Sequence, residues 1–301
     1  MSGARLAERA PAPAGEARAA ESAEPMRRRR PLADDPVALR SPRMARFFAG
    51  VMERQMRASF RAVRLLRPGL PGLPEGRPLA IFCNHPSWWD PAFGIVLAAR
   101  LFPEREGYAP MEAAALERYR FMRRIGIFGV EPGTRAGAAR FLQVAGRVWE
   151  DPARMIWITA QGGFTDPRAR PVALRAGLAH VLARTPGAVA LPLAVEYPFW
   201  GEKRPEALAA FGAPIEGGAD AGAWQGRLED GLTAAMDRLA GAATARDPSA
   251  FAPLLGGRAG VGGMYGAWGR ARAALRGARH VPDHAPHEAP VAGAETGSER
   301  R

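Results

Sequence analysis

From residue 78 onward, short apolar runs alternate with stretches in which apolar residues recur every three or four positions. The runs PLAIFC (78–83), IGIFGV (125–130), RMIWIT (154–159) and AVALPLAVEY (188–197) have strand length and are rich in branched or aromatic residues. Helical spacing covers residues 90–101, 112–124, 134–150 and 172–184 between them, and a further helix is expected around 219–241. Strand and helix in alternation predict an α/β domain with a largely parallel central sheet flanked by helices. In such folds functional groups gather at the carboxyl ends of the strands.

Upstream, PRMARFFAGVMERQMRASFRAVRLLR (42–67) reads as one amphipathic helix. Met44, Phe47, Phe48, Val51, Met52, Phe60, Val63, Leu65 and Leu66 fall on one side, and Arg46, Arg54, Arg57, Arg61 and Arg64 on the other. Such a helix can cover a core with its basic face in water, or lie in a bilayer interface with its Arg side chains on anionic headgroups. The pattern alone supports both. PGLPGLPEGRP (68–78) then breaks it. Four segments follow: a disordered basic tail (1–40) with the run MRRRR, the amphipathic helix (41–67), the main domain (68–250) and a Gly/Pro-rich extension (251–301). Within the extension, LLGGRAGVGGMYG (254–266) is expected to be a linker, since it has neither the P-loop Lys nor a dinucleotide-binding glycine pattern.

The net charge of +12 sits mostly at the ends of the chain. Residues 1–77 carry 16 Arg against 8 acids, 78–257 carry 19 basic residues against 18 acids, and 258–301 carry 7 against 4. A nucleic-acid enzyme would be basic across its working surface, so the near-neutral middle argues against nucleic acid as partner and points the basic ends at another anionic surface. No apolar run is long enough to span a membrane or to form the core of a secretory leader, and the single Cys83 suits a reducing compartment. A cytoplasmic protein is expected.

The stretch IFCNHPSWWDPAF (81–93) carries the candidate chemistry. His85 ends an apolar run and Asp90 follows five positions later, before Pro91. One reading is structural: Ser87 to Asp90 spells S-x-x-D, a capping box, or Asp90 is an N-cap ahead of a helix-starting proline. The other is a dyad across a strand-to-helix turn, with the carboxylate on one imidazole nitrogen and the other nitrogen open as a general base. The segment by itself leaves both open. Cys83 lies in an apolar strand, where thiols are usually inert. His280, His284 and His287, with Asp283 and Glu288, have metal-like spacing but occupy a Pro-interrupted tail that would not hold ligands in place, so no metal is expected.

NHPSWWD resembles the N-H-x-S-x-x-D block of the glycerolipid acyltransferases, the lysophosphatidic acid acyltransferase type, and three further blocks follow in that family's order. GIFGVEPGTR (126–135) is similar to its G-x-x-F-I-x-R block, WITAQGGF (157–164) to its strand ending in E-G-T-R, and VALPLAVEY (189–197) to its proline-centred strand. The resemblance covers residues 45–215 and implies a glycerolipid-acyltransferase-like fold behind an amphipathic helix. It implies acyl transfer from acyl-CoA or acyl carrier protein to a lipid hydroxyl, with no resident cofactor, at the cytoplasmic face of the membrane. His85 would be the general base and Asp90 its partner. Substrate contacts would come from Asn84, Ser87, Gly129 and Arg135, and from Gln161, Gly162, Gly163, Thr165 and Asp166, with Arg168 close by. Gly162 and Gly163 would offer N–H groups to the developing oxyanion.

Two blocks depart from the family in the same direction. The family's phosphate-associated arginines fall on Pro132 and Phe164, and Gln161 stands for the Glu, while Arg135 three residues on is a partial substitute. Phe and Pro cannot make the bidentate contacts of Arg to phosphate. The expected acceptor is therefore a neutral or bulky hydroxyl lipid rather than glycerol 3-phosphate or lysophosphatidic acid. A non-catalytic lipid-binding protein of the same fold, and an acylglycerol-phosphate acyltransferase with altered phosphate contacts, are the alternatives.

Overall fold

The computed structural model describes residues 34–257 and the single positions Leu32, Arg272 and Leu275. Most of the tail expected over 1–40, most of 258–301 and the histidines at 280, 284 and 287 lie outside the described residues, but residues 34–40 of that expected tail are ordered. Asp35 caps a short helix, α1 (Pro36–Leu39), with its carboxylate on the Val37 N–H. Ser41 starts α2 (Pro42–Ser59) by accepting the Met44 N–H, with Pro42 supplying a helical φ at the first position.

The helix expected through residue 67 stops at Ser59, and Ala62–Leu66 forms strand β1. All five residues of β1 are buried, parallel to β7 (Glu206–Phe211) on one side and antiparallel to β9 (Phe251–Gly256) on the other. Phe60, Val63 and Leu65 fit a helical wheel, but pairing with two strands far along the chain outweighs that local periodicity. Arg61 and Arg64, expected on a solvated helix face, are buried instead, and Arg64 Nε donates to Glu206 Oε2 at 2.9 Å.

The remaining strands are β2 (Leu79–Cys83), β3 (Glu106–Glu112), β4 (Ile127–Val130), β5 (Arg154–Thr159), β6 (Val189–Glu196) and the two-residue β8 (Ile215–Glu216). The described residues form a nine-stranded sheet in the order β4-β3-β5-β2-β6-β7-β1-β9, with β8 beside β6. From β4 to β6 all pairs are parallel, and the antiparallel pairs are β6 with β7 and β8, and β1 with β9. The α/β class with a mostly parallel sheet flanked by helices is as the sequence predicts. β9 overlaps the stretch read as a linker, so residues 251–256 belong to the domain and not to an extension.

The helices are α3 (Asp90–Leu101), α4 (Ala113–Arg118), α5 (Arg135–Val148), α6 (Gly177–Leu182) and α7 (Ala221–Ala245). The helix expected at 112–124 divides into α4 and a 3-10 turn at Arg120–Ile125, and that at 172–184 contracts to α6. On one face of the sheet Leu79, Ile81 and Cys83 of β2 meet Phe93, Val96 and Leu97 of α3 and Met56 of α2. Each large side chain so buried contributes about 2 kcal/mol. On the other face α7 comes close enough to β6 that a side chain at Gly231 would touch Pro192. The carboxyl ends of β5, β2 and β6, adjacent and parallel, therefore share one edge of the sheet.

Candidate active site

β2 ends at Cys83 and the chain leaves the sheet through Asn84, His85, Pro86 and Ser87. Asn84 is buried, its amide bonded both ways to Val195 of β6 at 2.9 and 2.8 Å, so it clamps the strand end instead of facing a substrate. His85 is held by its backbone on the β5 side. Its N–H donates to Gln161 Oε1 at 2.8 Å and its carbonyl accepts the Thr165 N–H at 2.9 Å.

The turn then brings Asp90 back. Asp90 Oδ2 lies 2.6 Å from His85 Nδ1 and accepts the Ser87 N–H at 3.0 Å. The Ser87 hydroxyl accepts the Trp89 N–H and its carbonyl accepts that of Asp90. Trp89, not Asp90, is the N-cap of α3, and Asp90 begins the helix. The two sequence readings are thus compatible: half of a capping box exists, and the same carboxylate holds the imidazole. Ser87 builds the turn. The Asp90 side chain is buried and acts as acceptor, so Nδ1 carries the proton and Nε2 is left as the acceptor. The His85 side chain is 17% exposed, and its Nε2 makes no hydrogen bond among the described residues.

A third member was not singled out in the sequence. Tyr197, just past β6, donates its hydroxyl to Asp90 Oδ1 at 2.7 Å. Burial, together with the Asp90 charge, pushes the phenol well above its ordinary titration range, so it stays a donor. The available signal was only a tyrosine at the carboxyl end of an expected strand, where functional groups gather in such folds.

Phe164 lies over the imidazole, ring centroids 4.4 Å apart and planes tilted by 38°, while 67% exposed to solvent. It is carried by a turn in which Gly162 has φ +70°, and a Cβ there would meet the Arg175 side chain at 2.7 Å. The Gly162 N–H donates to Thr159 O at 3.1 Å, so of the two glycines only Gly163 has an N–H without a partner among the described residues. The Thr165 hydroxyl bonds Gly163 O, and Asp166 is gripped by Arg168 through backbone and side chain, which holds its carboxyl far below the usual range.

The second block is not brought to His85. Gly129 lies in β4, three strands from β2, which at about 4.8 Å per strand is roughly 14 Å along the sheet. Its carbonyl accepts Arg140 Nε at 2.9 Å, and Arg135 is exposed at the first position of α5. A cavity of about 250 Å³ opens beside Gly129, between Leu39, Leu116, Phe128 and Glu131, apart from the imidazole. Cys83 is buried with its thiol toward Ile158 O, and burial pushes that thiol up, so it is no nucleophile. Among the described residues no group of His, Cys, Asp and Glu has the arrangement of a metal site.

No family model matches the chain, and no curated protein does. No helix of the described residues is long and apolar enough to cross a membrane. What stands is the geometry: an imidazole with a buried carboxylate on one nitrogen and an open second nitrogen, at the carboxyl edge of a parallel sheet. That arrangement can accept a proton from a hydroxyl and stabilise the imidazolium that results.

Proposed function

We propose that the chain is an O-acyltransferase that moves a fatty acyl group from a thioester, acyl-CoA or acyl carrier protein, to the hydroxyl of a lipid acceptor. The observation that carries the proposal is the 2.6 Å contact of His85 Nδ1 with buried Asp90, in a segment that resembles the acyltransferase block. The acceptor hydroxyl gives its proton to Nε2 as its oxygen attacks the thioester carbonyl. The tetrahedral intermediate collapses with cleavage of the C–S bond, and the imidazolium returns the proton to the departing thiolate. The Gly163 N–H is the donor available to the oxyanion. The thioester is a substrate and not a resident cofactor.

Gln161 supports catalysis over a relic that only binds lipid. It stands where the family has Glu, and its amide oxygen fixes the His85 backbone. Phe164 sets the acceptor class: an apolar ring on the imidazole, in place of an Arg, favours a neutral hydroxyl lipid.

The same reading places the protein on the cytoplasmic face of the membrane. Arg43, Arg46, Arg54 and Phe47 are exposed on α2, with Phe47 65% exposed. The 3-10 turn beside α2 adds Arg120 and Phe121, with Tyr119 just ahead of it, and Phe121 packs on Phe48 at 5.5 Å between centroids. Arginines with aromatic side chains between them suit an anionic interface. This surface replaces the longer helix expected from the sequence, because residues 60–66 lie inside the fold.

The test is thiol release by purified protein given acyl-CoA and a panel of neutral lipids. His85→Ala should lower the rate by about 100- to 10,000-fold. A folded His85→Ala protein with undiminished turnover would overturn the proposal.

A further inference from the structure

The carboxylate behind His85 has three donors. Oδ2 serves His85 and the Ser87 N–H, both from the turn that carries Asp90 itself. Oδ1 serves Tyr197, 107 residues away in the chain. We propose that Tyr197 is a positioning residue for the acyl transfer: its hydroxyl fixes the plane of the Asp90 carboxylate and draws on its charge, and so sets the orientation and basicity of His85. The inference rests on the function proposed above.

The terminal torsion of an aspartate is soft, so bonds at one oxygen alone leave the other free to swing. Tyr197 closes that freedom from a second direction. Its own ring cannot follow a moving carboxylate, since it packs between Phe60 and Phe93 at centroid distances of 5.5 and 6.0 Å. A neutral donor on Oδ1 also takes part of the negative charge that would otherwise act on the imidazolium, and this lowers the proton affinity of Nε2. The other titratable groups around the pair are Cys83 beneath it, Glu196 next to Tyr197, and Asp166 with Arg168 on the β5 loop. A purely structural account is that a buried phenol needs some acceptor and Asp90 is the one at hand. On that account removal of the hydroxyl affects stability and leaves the imidazole as it was.

The experiment compares the parent protein with Tyr197→Phe, which keeps the ring and its packing, by NMR of the His85 imidazole assigned with His85→Gln. No substrate is needed for this part. The Nδ1 proton signal should move, and the titration midpoint of the ring should rise by about half a pH unit or more. With acyl-CoA and acceptor, kcat should fall about tenfold at little change in KM, and the acid limb of kcat/KM should move to higher pH in step. A folded Tyr197→Phe protein with an unchanged imidazole spectrum and titration would overturn the inference. Where Tyr197→Phe does not fold, 3-fluorotyrosine at position 197, a stronger donor, should move the titration downward, and no movement would again overturn it. If the imidazole responds but no lipid is ever acylated, the positioning role stands and the acyltransferase proposal falls.

Discussion

Gln161 Oε1 accepts the backbone N–H of His85 at 2.8 Å, a bond from the loop after β5 to the second residue after β2. It holds the residue that carries the imidazole without placing a second charge beside it. Gln161→Glu keeps an acceptor there and should retain activity within a few fold. Gln161→Ala leaves a partly buried N–H without a partner, a cost of about 1–3 kcal/mol. Denaturant unfolding of both variants, read with thiol-release rates, checks the pair.

Asp90→Asn keeps the shape of the turn but replaces an acceptor with an amide that can point a donor at Nδ1. The imidazole then favours the tautomer with its proton on Nε2, where the acceptor hydroxyl needs a base. A loss of about 100- to 10,000-fold in kcat is expected, with a much smaller change in KM. Steady-state kinetics over a range of acyl-CoA concentrations measures it.

Phe164→Arg places a cation beside the imidazole. It should raise kcat/KM for a phosphate-bearing acceptor by about tenfold or more and lower it for neutral lipids. The ratio of the two rates in a competition assay is the quantity to read. An unchanged ratio would remove Phe164 from acceptor selection.

Flotation with vesicles tests the α2 surface. Replacing Arg43, Arg46 and Arg54 with Gln removes about 1 kcal/mol of attraction each, so partitioning onto anionic vesicles should drop by roughly 100-fold. Binding of the parent protein should weaken as salt rises, because exposed charges act over about a Debye length. Neutral vesicles should capture both proteins equally poorly.

The buried pair between Arg64 and Glu206 gives a pH-dependent prediction. Burial raises the Glu206 titration above the ordinary glutamate range, and Arg64, the nearest cation, pulls it down. Between the ordinary and the raised value the folded chain binds more protons than the unfolded chain. The Glu206 contribution to stability is therefore present below that window and is lost as pH rises through it. Arg64→Met removes the cation and should destabilise by about 3 kcal/mol near pH 8, since a buried carboxylate is then left either charged without its partner or forced to take up a proton. The loss should shrink toward pH 5, where Glu206 can take up a proton, and urea unfolding at the two pH values compares them.

The dyad was legible as one of two readings, since both partners lie within one turn, five residues apart, and it was the resemblance of the surrounding blocks that favoured it over a helix cap. The parallel strands and α3 were legible because β2, β5 and β6 are continuous apolar runs, as strands covered on both faces must be. Tyr197 was not, since its role exists only once β6 lies beside β2. β3 (EGYAPME) and β7 (EALAAF) were also missed: Gly, Ala, Pro and Glu are poor strand formers, and only pairing with their neighbours holds them in the sheet. β1 was misread because its apolar residues continue the phase of α2.

The pairing of β1 with β9 joins residues 62–66 to 251–256 across almost the whole length of the domain. Such a closure is expected late in folding, since the long loop between the two strands must be ordered before the pair rewards it. During synthesis β1 waits with one edge uncovered until β9 has emerged, and that edge is a template for wrong pairing. A chain cut at residue 250 would be left permanently in that state, and should be recovered as aggregate rather than as a smaller folded protein.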